Sequence, residues 1–220
     1  MTMLIVGYGK MGRLVEQLAG EAGMTVAAHV DEDGAGWTAA DVAIDFSTAA
    51  ALKANFPRYA EMRMPVVIGT TGWEDARASM QAAATAAHIG VVASANFSIG
   101  VNLFELVVRE AARRFAPHPQ YGAWIHEIHH AAKRDAPSGT AFLLRDAMVG
   151  AGYRQPIDVA SSRAGMIPGT HTVGFDSQSD TIELIHRARD RRGFASGALL
   201  AARWIQGREG WYSMADVLGG

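Results

Sequence analysis

The sequence of 220 residues contains no cysteine, no excess of basic residues and no long apolar run. Without cysteine the protein has no disulfide, zinc–thiolate site, iron–sulfur cluster or thiol nucleophile, although its redox compartment stays open. Lys and Arg number 20 against 22 Asp and Glu, and the formal charge of −2 lacks the basic excess typical of nucleic-acid binding. The apolar runs are strand-sized and far shorter than the roughly 18 residues that a membrane span needs.

The composition is that of a folded protein. Apolar residues make up 49% of the chain and charged residues 19%, which permits a large core and is not typical of disorder. No basic stretch precedes an apolar segment near Met1, so we expect no signal peptide. We therefore expect a soluble, cytoplasmic protein of one or two domains, with neither nucleic acid nor a membrane as partner.

The two halves of the chain differ in their pattern of apolar residues. The first half alternates short β-branched runs with amphipathic stretches, which predicts a parallel sheet wound with helices. The expected strands there are 3–6, 24–30, 41–46, 65–69 and 89–94, and the expected helices are 10–21, 49–61 and 74–88. Beyond Asn96 we expect helices over 99–115, 137–149 and 195–206 and strands over 121–129, 157–163, 170–175 and 181–189. The pattern predicts an α/β domain, a smaller α+β domain and a final helix.

A glycine-rich motif follows the first predicted strand. The letters Gly7-Tyr8-Gly9-Lys10-Met11-Gly12 fit G-x-G-x-x-G between a strand and a helix, where backbone N–H groups and the helix N-terminus can hold a pyrophosphate. Asp31 ends the second strand 19 residues after Gly12, at the position expected of a ribose-binding acid. The alternative is a glycine-rich turn with a surface aspartate. The motif predicts a nicotinamide dinucleotide site formed by these six residues and Asp31.

The residues after Asp31 bear on which nicotinamide is preferred. Glu32 and Asp33 are acidic, so a 2′-phosphate would meet like charges there. Lys10 in the glycine loop offsets part of that repulsion. We expect NADH to be preferred over NADPH, a hypothesis that a much lower Michaelis constant for NADPH would contradict.

A cluster of histidines contains the letters of a zinc motif. His126-Glu127-Ile128-His129-His130 matches H-E-x-x-H, which on a helix would place His126 and His130 on zinc and Glu127 as base. The surrounding residues alternate as in a strand, where His126 and His130 stand about 13 Å apart at roughly 3.3 Å per residue. We therefore expect no metal, and a zinc hydrolase stays as an alternative that metal analysis would test. Hydrogen bonding at a polar strand end is the other interpretation.

The residues after the histidines form a candidate site for a dianion. Lys133 is one of three lysines against 17 arginines, and the turn Asp135–Thr140 opens a predicted helix. Ser138, Gly139 and Thr140 are expected to present free N–H groups and hydroxyls to a carboxylate. Lys133 can donate a proton and hold negative charge nearby.

The stretch from Glu127 to Ala141, EIHHAAKRDAPSGTA, closely resembles the signature of the 4-hydroxy-tetrahydrodipicolinate reductase family, also called dihydrodipicolinate reductase. Further blocks resemble the family in the same order across nearly the whole chain. They are Gly7–Arg13, Ile44–Ser47, Gly69–Gly72, Ser94–Ser98, Arg163–Gly165, Pro168–His171, His186–Arg189 and Phe194–Gly197.

This resemblance implies roles for individual residues. His129 matches the catalytic histidine, Lys133 the proton-donating lysine, and His130, Gly139 and Thr140 substrate contacts, beside which Ser138 is expected. Two loops match those that hold the nicotinamide end of the cofactor, namely Gly69, Thr70, Thr71 and Ser94, Ala95, Asn96, Phe97. The implied reaction dehydrates and reduces a cyclic imine dicarboxylate of lysine and diaminopimelate biosynthesis, with hydride from NADH or NADPH.

The family's architecture implies two domains. Residues 1–98 and 194–220 would form a Rossmann-type dinucleotide-binding domain, to which the last helix returns. Residues 99–193 would form the α+β substrate-binding domain, whose sheets commonly build a homotetramer.

One segment departs from the family. Only ten residues, 31–40, separate the second strand from Asp41–Phe46, whereas a parallel crossover with a helix needs a dozen or more. We predict that a helix and an edge strand are trimmed away, which opens the adenine side of the cofactor pocket.

Two further functions stay open beside this reductase and the zinc hydrolase. One is a related NAD(P)H-dependent reductase that acts on another imino or keto dicarboxylate. The other is a cofactor-binding sensor without turnover, for which nicotinamide would bind and no substrate would be reduced.

Overall fold

A computed structural model describes residues 1–32 and 34–219, which divide into two compact units. The first unit comprises Met1–Ile99 together with the residues from Arg192 onward, and the second comprises Gly100–Arg191. The sequence predicted divisions after residues 98 and 193. The roles expected of the two domains stay predictions at this point.

The secondary structure alternates in the first unit and becomes strand-rich in the second. In chain order the elements are β1 (Thr2–Val6), α1 (Lys10–Ala19), β2 (Thr25–Val30), β3 (Val42–Asp45), α2 (Ala49–Glu61), β4 (Val66–Ile68), α3 (Arg77–Ala87, preceded by a 3₁₀ turn at Glu74–Ala76), β5 (Gly90–Ala93), α4 (Ile99–Phe115), β6 (Gly122–His129), α5 (Gly139–Gly150), β7 (Ile157–Arg163), β8 (Thr170–Asp176), β9 (Thr181–Arg187), α6 (Arg192–Trp204), β10 (Gly210–Tyr212) and α7 (Met214–Val217). None of the helices in the described ranges is long and apolar enough to cross a membrane.

The first unit is a six-stranded parallel sheet covered on both faces, as its apolar strands predict. The strand order is β10-β5-β4-β3-β1-β2. Alternate strand residues pack on opposite sides: Ile5 and Ile44 contact the cluster of α1 and α6, while Leu4 and Ala43 contact that of α2 and α3. This confirms the predicted Rossmann-type α/β arrangement and brings the carboxyl ends of β1, β3 and β4 to one edge.

The glycine loop joins β1 to α1 and fits tightly against its surroundings. Gly7 has φ +86°, and a Cβ there would lie 2.6 Å from the backbone of Phe46 and Ser47. A Cβ on Gly12 would lie 2.3 Å from the carbonyl oxygen of Gly7. Only glycine allows both approaches, in agreement with the tight turn that the motif predicts here.

The trimmed crossover is confirmed for the residues that the structure describes. No helix or strand occupies 31–32 or 34–41, and β2 is the edge strand of its sheet. In place of a helix, Trp37 packs its ring 5.4 Å from that of Tyr59 on α2, with the guanidinium of Arg58 5.1 Å from the indole. Asp33, which is expected to repel a 2′-phosphate, lies outside the described residues.

Two elements near the C-terminus were missed from sequence. β10 has three residues and α7 has four, so neither is long enough to show a period. The capping box between Ser213 and Asp216 was a signal for α7. β10, which contains Trp211 and Tyr212, extends the parallel sheet beside β5.

The second unit is a four-stranded mixed sheet with helices on one face. Its order is β7-β6-β8-β9, with β6 and β7 parallel and the other neighbours antiparallel. The inner face packs on α4 and α5 through residues such as Ile125, Val173, Val108 and Leu144. This matches the predicted smaller α+β domain.

Candidate active site

Strand alternation on β6 places Glu127 and His129 on the inner face of the small sheet. Glu127 is fully buried and His129 is 8% exposed. Nδ1 of His129 donates a hydrogen bond to Oε2 of Glu127. Because an ionised carboxylate can only accept, this bond places the proton of the neutral ring on Nδ1 and leaves the lone pair on Nε2. A Cβ built on Gly169 would lie 3.0 Å from that Nε2, so glycine permits the close approach of the chain before β8.

Arg163 on the neighbouring strand β7 neutralises the buried carboxylate. Its Nη1 donates to Oε2 of Glu127 at 2.9 Å and its Nη2 to Oε1 at 2.7 Å, while the Ser138 N–H donates to Oε1 at 3.1 Å. Burial raises the pKa of Glu127, but the hydrogen bonds, led by those from Arg163, bring that pKa down to about 2. Glu127 is therefore an anion at neutral pH, held in a forked ion pair.

The two histidines at this site are held in their neutral forms. Burial lowers the pKa of His129 from 6.5, although Glu127 raises it in part. His171, opposite Glu127 on β8, is 4% exposed, and its ring centroid lies 5.2 Å from that of His129. Burial and the neighbouring His129 lower the pKa of His171 to about 4. Its Nε2 lies 3.1 Å from Oγ of Ser138.

The zinc set that the letters H-E-x-x-H suggest is not assembled, because the segment is a strand. His126 lies on the opposite face from Glu127, with its Nε2 3.0 Å from Oγ of Ser162. A different trio, Glu127, His129 and His171, places one ligand atom each within 4.8 Å of one another. The guanidinium of Arg163 already engages both oxygens of Glu127, and this cation disfavours a metal ion at the same carboxylate.

Lys133 lies in the turn that follows β6. Its N–H donates to the carbonyl oxygen of His130 at 3.1 Å, and its Nζ lies 2.7 and 2.9 Å from the two carboxylate oxygens of Asp135. The hydrogen bond from Lys133 lowers the pKa of Asp135. The ammonium group is thus part of the turn's own ion pair.

The N-terminus of α5 differs from the sequence expectation in one detail. The free N–H expected of Ser138 is absent, because that group donates to Glu127. The Ser138 hydroxyl caps the N–H of Ala141 at 3.3 Å and contacts His171, and the residue is 2% exposed. Gly139 is exposed and Thr140 is half-buried, so within 138–140 the accessible residues are the two that follow Ser138.

The first unit contains a separate cavity of about 380 Å³ where the carboxyl ends of its strands meet. Six predicted cofactor residues line it, namely Gly9, Lys10, Met11, Gly69, Thr70 and Thr71, together with Phe46 and Ser47. Gly9 is the N-cap residue of α1, and no side chain caps the helix. An uncapped helix N-terminus facing such a cavity suits a phosphate group.

The other predicted cofactor residues are not among those that line this cavity. Gly7 and Gly12 support the loop, and Tyr8 turns its hydroxyl to Glu16 with its ring centroid 4.0 Å from that of His29. Asp31 follows β2 and is exposed. The remaining loop, Ser94, Ala95, Asn96 and Phe97, follows β5. Within it, the Ser94 hydroxyl donates to the carbonyl oxygen of Asn96 at 2.9 Å.

Sequence reasoning missed several residues of these sites. Arg163, His171 and the segment Asp45–Ser47 belong to motifs that resemble the family, but no role was predicted for them. The signal that would have identified Glu127 is its position two residues before His129, because residues at i and i+2 share one face of a strand.

Comparisons with known proteins place both units in one family. A model described as "Dihydrodipicolinate reductase, N-terminus" matches residues 34–97, and one described as "Dihydrodipicolinate reductase, C-terminus" matches residues 100–218. The 4-hydroxy-tetrahydrodipicolinate reductase of Zymomonas mobilis is 38% identical, covering 98% of this chain and 96% of that protein. That of Christiangramia forsetii is 33% identical, covering 99% and 98%.

A solved structure has the same fold. The dipicolinate-bound dihydrodipicolinate reductase from Paenisporosarcina sp. TG-14 superposes with a TM-score of 0.83, covering 98% of both chains at 20% identity.

Proposed function

This chain belongs to the dihydrodipicolinate reductase family, and from that premise we infer which of its residues carry out the family's reaction. The reaction is the NAD(P)H-dependent reduction of 4-hydroxy-tetrahydrodipicolinate to tetrahydrodipicolinate in lysine and diaminopimelate biosynthesis. It consumes one hydride and one proton and releases one water. The observation that carries the assignment of residues is the buried group of Glu127, His129 and Arg163, next to the turn that bears Lys133.

The nicotinamide cofactor fits the first unit. Gly9, Lys10 and Met11 at the uncapped start of α1 would hold the pyrophosphate, and Gly69–Thr71 would line the path of the nicotinamide end. The loop Ser94–Phe97 is the second segment proposed for that end. When bound, the cofactor supplies the hydride, and the protein's task is to orient it.

We propose that the protein prefers NADH over NADPH. Asp31 and Glu32 are exposed acidic residues at the end of β2, where the ribose of the adenosine would lie. They would repel a 2′-phosphate, and Lys10 offsets only part of that charge. Because the trimmed crossover leaves β2 as the sheet edge, we expect this side of the site to be open.

Lys133 and the start of α5 would hold the dicarboxylate substrate. The ammonium group of Lys133 pairs with one carboxylate and supplies the proton to the ring, while His130, Gly139 and Thr140 offer further polar contacts. Ser138 would support this site without contacting the substrate, because its N–H and hydroxyl already bond to Glu127 and His171.

His129 would hold or move a proton at Nε2. Glu127 fixes the ring through Nδ1 and stabilises the charged form that appears when Nε2 takes a proton. Arg163 keeps Glu127 ionised for this task.

We propose a homotetramer in the cytoplasm, with the outer face of the small sheet as the subunit contact. That face carries the half-buried side chains of Trp124 and Ile128 and the 40% exposed side chain of Ile185. Sedimentation would report four subunits, and a monomer would contradict this assembly.

The experiment that tests the function is nicotinamide oxidation with freshly generated 4-hydroxy-tetrahydrodipicolinate, run in parallel with NADH and NADPH. We expect rapid oxidation that depends on substrate, faster at low cofactor concentration with NADH. Dipicolinate, which the Paenisporosarcina protein binds, should inhibit. Folded protein that binds nicotinamide and oxidises none of it would assign the chain to another imino or keto dicarboxylate.

A further inference from the structure

Asp45 at the end of β3 is a fully buried carboxylate that the reaction described above does not use. The groups that donate hydrogen bonds to it are neutral. Burying a carboxylate is costly unless its hydrogen-bonding capacity is filled. Here four hydrogen bonds converge on the two carboxylate oxygens, so the strand end forms a compact polar network.

The two oxygens of Asp45 face different parts of the unit. Oδ1 accepts from the N–H and the hydroxyl of Ser47 at 2.9 and 2.6 Å and from the hydroxyl of Thr70 at 2.8 Å. Oδ2 accepts from the hydroxyl of Tyr59 on α2 at 2.7 Å. Burial, with the adjacent Asp45, raises the pKa of Tyr59 well above its usual value, so this phenol stays a donor. One oxygen therefore holds two loops and the other anchors the side chain to the core.

Both loops held by Oδ1 line the 380 Å³ cavity of the first unit. One is Phe46–Ser47 after β3, and the other is Gly69–Thr71 after β4. They fit closely, because the Gly69 N–H donates to the Asp45 carbonyl oxygen at 2.9 Å and a Cβ on Gly69 would lie 2.0 Å from the Phe46 ring. A shift of either loop would change the shape of the cavity wall.

We propose that Asp45 is a positioning residue for the nicotinamide cofactor, which it serves by joining the loops 46–47 and 69–71 through Oδ1. The proposal rests on the proposed function in one respect, that the cofactor occupies this cavity. An apolar side chain would suffice if the end of β3 only had to pack. A single acceptor shared by Ser47 and Thr70 instead fixes the distance between two loops that are 23 residues apart in sequence (70 − 47).

Three variants distinguish an effect of Asp45 on the position of the loops from an effect on the stability of the fold. Asp45→Ala removes both groups of bonds, Tyr59→Phe removes only the bond to Oδ2, and Asp45→Asn keeps the shape with one acceptor oxygen. We expect Asp45→Ala to raise the dissociation constant for NADH about tenfold, the scale of lost buried hydrogen bonds. Tyr59→Phe should lower the melting temperature and change that constant less than twofold. Asp45→Asn should fall between them.

Hydrogen–deuterium exchange of the amides in 46–48 and 69–71 gives a readout that needs no cofactor. Faster exchange there in Asp45→Ala, and wild-type exchange in Tyr59→Phe, would support the proposal. Equal changes in NADH affinity and loop exchange in Tyr59→Phe and the Asp45 variants would overturn it, because Asp45 would then act through stability alone. If Asp45→Ala does not fold, the comparison uses Thr70→Val, which removes one donor to Oδ1: faster loop exchange in Thr70→Val than in Tyr59→Phe would support the proposal, and equal exchange would overturn it.

The failure of the proposed function would look different. Wild-type protein that binds neither NADH nor NADPH would contradict the cofactor site and with it the positioning role. Loop exchange in the Asp45 variants would still report whether Oδ1 joins the two loops.

Discussion

The ammonium nitrogen of Lys133 lies 2.7 Å from one carboxylate oxygen of Asp135 and 2.9 Å from the other. The lysine proposed to hold a substrate carboxylate and to donate a proton is therefore already paired with a carboxylate of its own turn. A dicarboxylate substrate must compete with Asp135 for this cation. The strength of that competition is limited, because the Asp135 side chain is 58% exposed.

Removing the competing charge should improve substrate binding. We expect Asp135→Asn to lower the Michaelis constant for 4-hydroxy-tetrahydrodipicolinate about two- to fivefold, the range set by an exposed ion pair. Steady-state kinetics would measure it, with Asp146→Asn, which removes the partner of Arg145 on α5, as the matched control. A higher Michaelis constant in Asp135→Asn would mean that Asp135 orients Lys133 for the substrate instead of competing with it.

Lys133 itself should matter for turnover and not for the cofactor. We expect Lys133→Ala to lower kcat by about 10²- to 10⁴-fold, the usual contribution of a positioned proton donor, while NADH affinity stays within twofold. The control is Lys53→Ala, which removes an ammonium paired with Asp75 on the first unit. Near-normal turnover in Lys133→Ala would contradict the proton-donor role.

Glu127 should contribute both to stability and to the chemistry of His129. Glu127→Gln leaves the guanidinium of Arg163 without its anion and offers an amide to Nδ1 of His129. We expect the free energy of unfolding to fall by about 1–3 kcal/mol, because the buried site loses its anion while the amide oxygen still accepts hydrogen bonds. Urea denaturation measures this loss, and Glu110→Gln on the exposed face of α4 is the control.

The Glu127→Gln protein that does fold should also be a poorer catalyst. Its kcat should fall, with the pH–rate profile displaced, because the ring of His129 loses the carboxylate that stabilises its charged form. A wild-type pH profile in folded Glu127→Gln would show that Glu127 is only structural.

Acid should destabilise the protein through His171 before it does so through Glu127. The pKa of His171 is about 4 in the fold against 6.5 for an ordinary histidine, so the unfolded chain binds more protons between pH 6.5 and 4. Stability should therefore fall as the pH falls through that window, by about 3 kcal/mol at its lower end. The pKa of Glu127, about 2 instead of 4.5, adds a second loss below pH 4.5.

Denaturation midpoints measured from pH 7 to pH 4 would check this acid sensitivity. His171→Asn should flatten the pH dependence, and His118→Gln on the exposed surface is the matched control. An unchanged slope in His171→Asn would contradict the assignment of the loss to this residue.

The cofactor preference should follow the acidic residues after β2. We expect the double variant Asp31→Asn, Glu32→Gln to lower the Michaelis constant for NADPH about tenfold relative to NADH, because two exposed like charges leave the site of the 2′-phosphate. Initial rates with both cofactors would measure the ratio. A wild-type enzyme that prefers NADPH would contradict the proposal before any variant is made.

Much of the fold was predictable because it follows from the pattern of apolar and polar residues within short segments. The parallel sheet follows from apolar runs that alternate with amphipathic helices, and the strand period of β6 correctly excluded the helix that H-E-x-x-H requires. The ten-residue segment 31–40 predicted the loss of a helix and an edge strand, since the chain is too short there to form them. Elements of three or four residues, such as β10 and α7, carry no such period and were missed.

The sequence by itself determined the glycine loop, the strand character of β6 and the identity of the groups that can carry the chemistry, because each depends on neighbours a few residues apart. Only the tertiary structure decided which of these groups meet. Arg163 reaches Glu127 across 36 residues, and Asp45 reaches Thr70 across 25. Both contacts depend on strand order, on register and on the requirement that a buried charge or hydroxyl find a partner, and none of these is written in a local pattern.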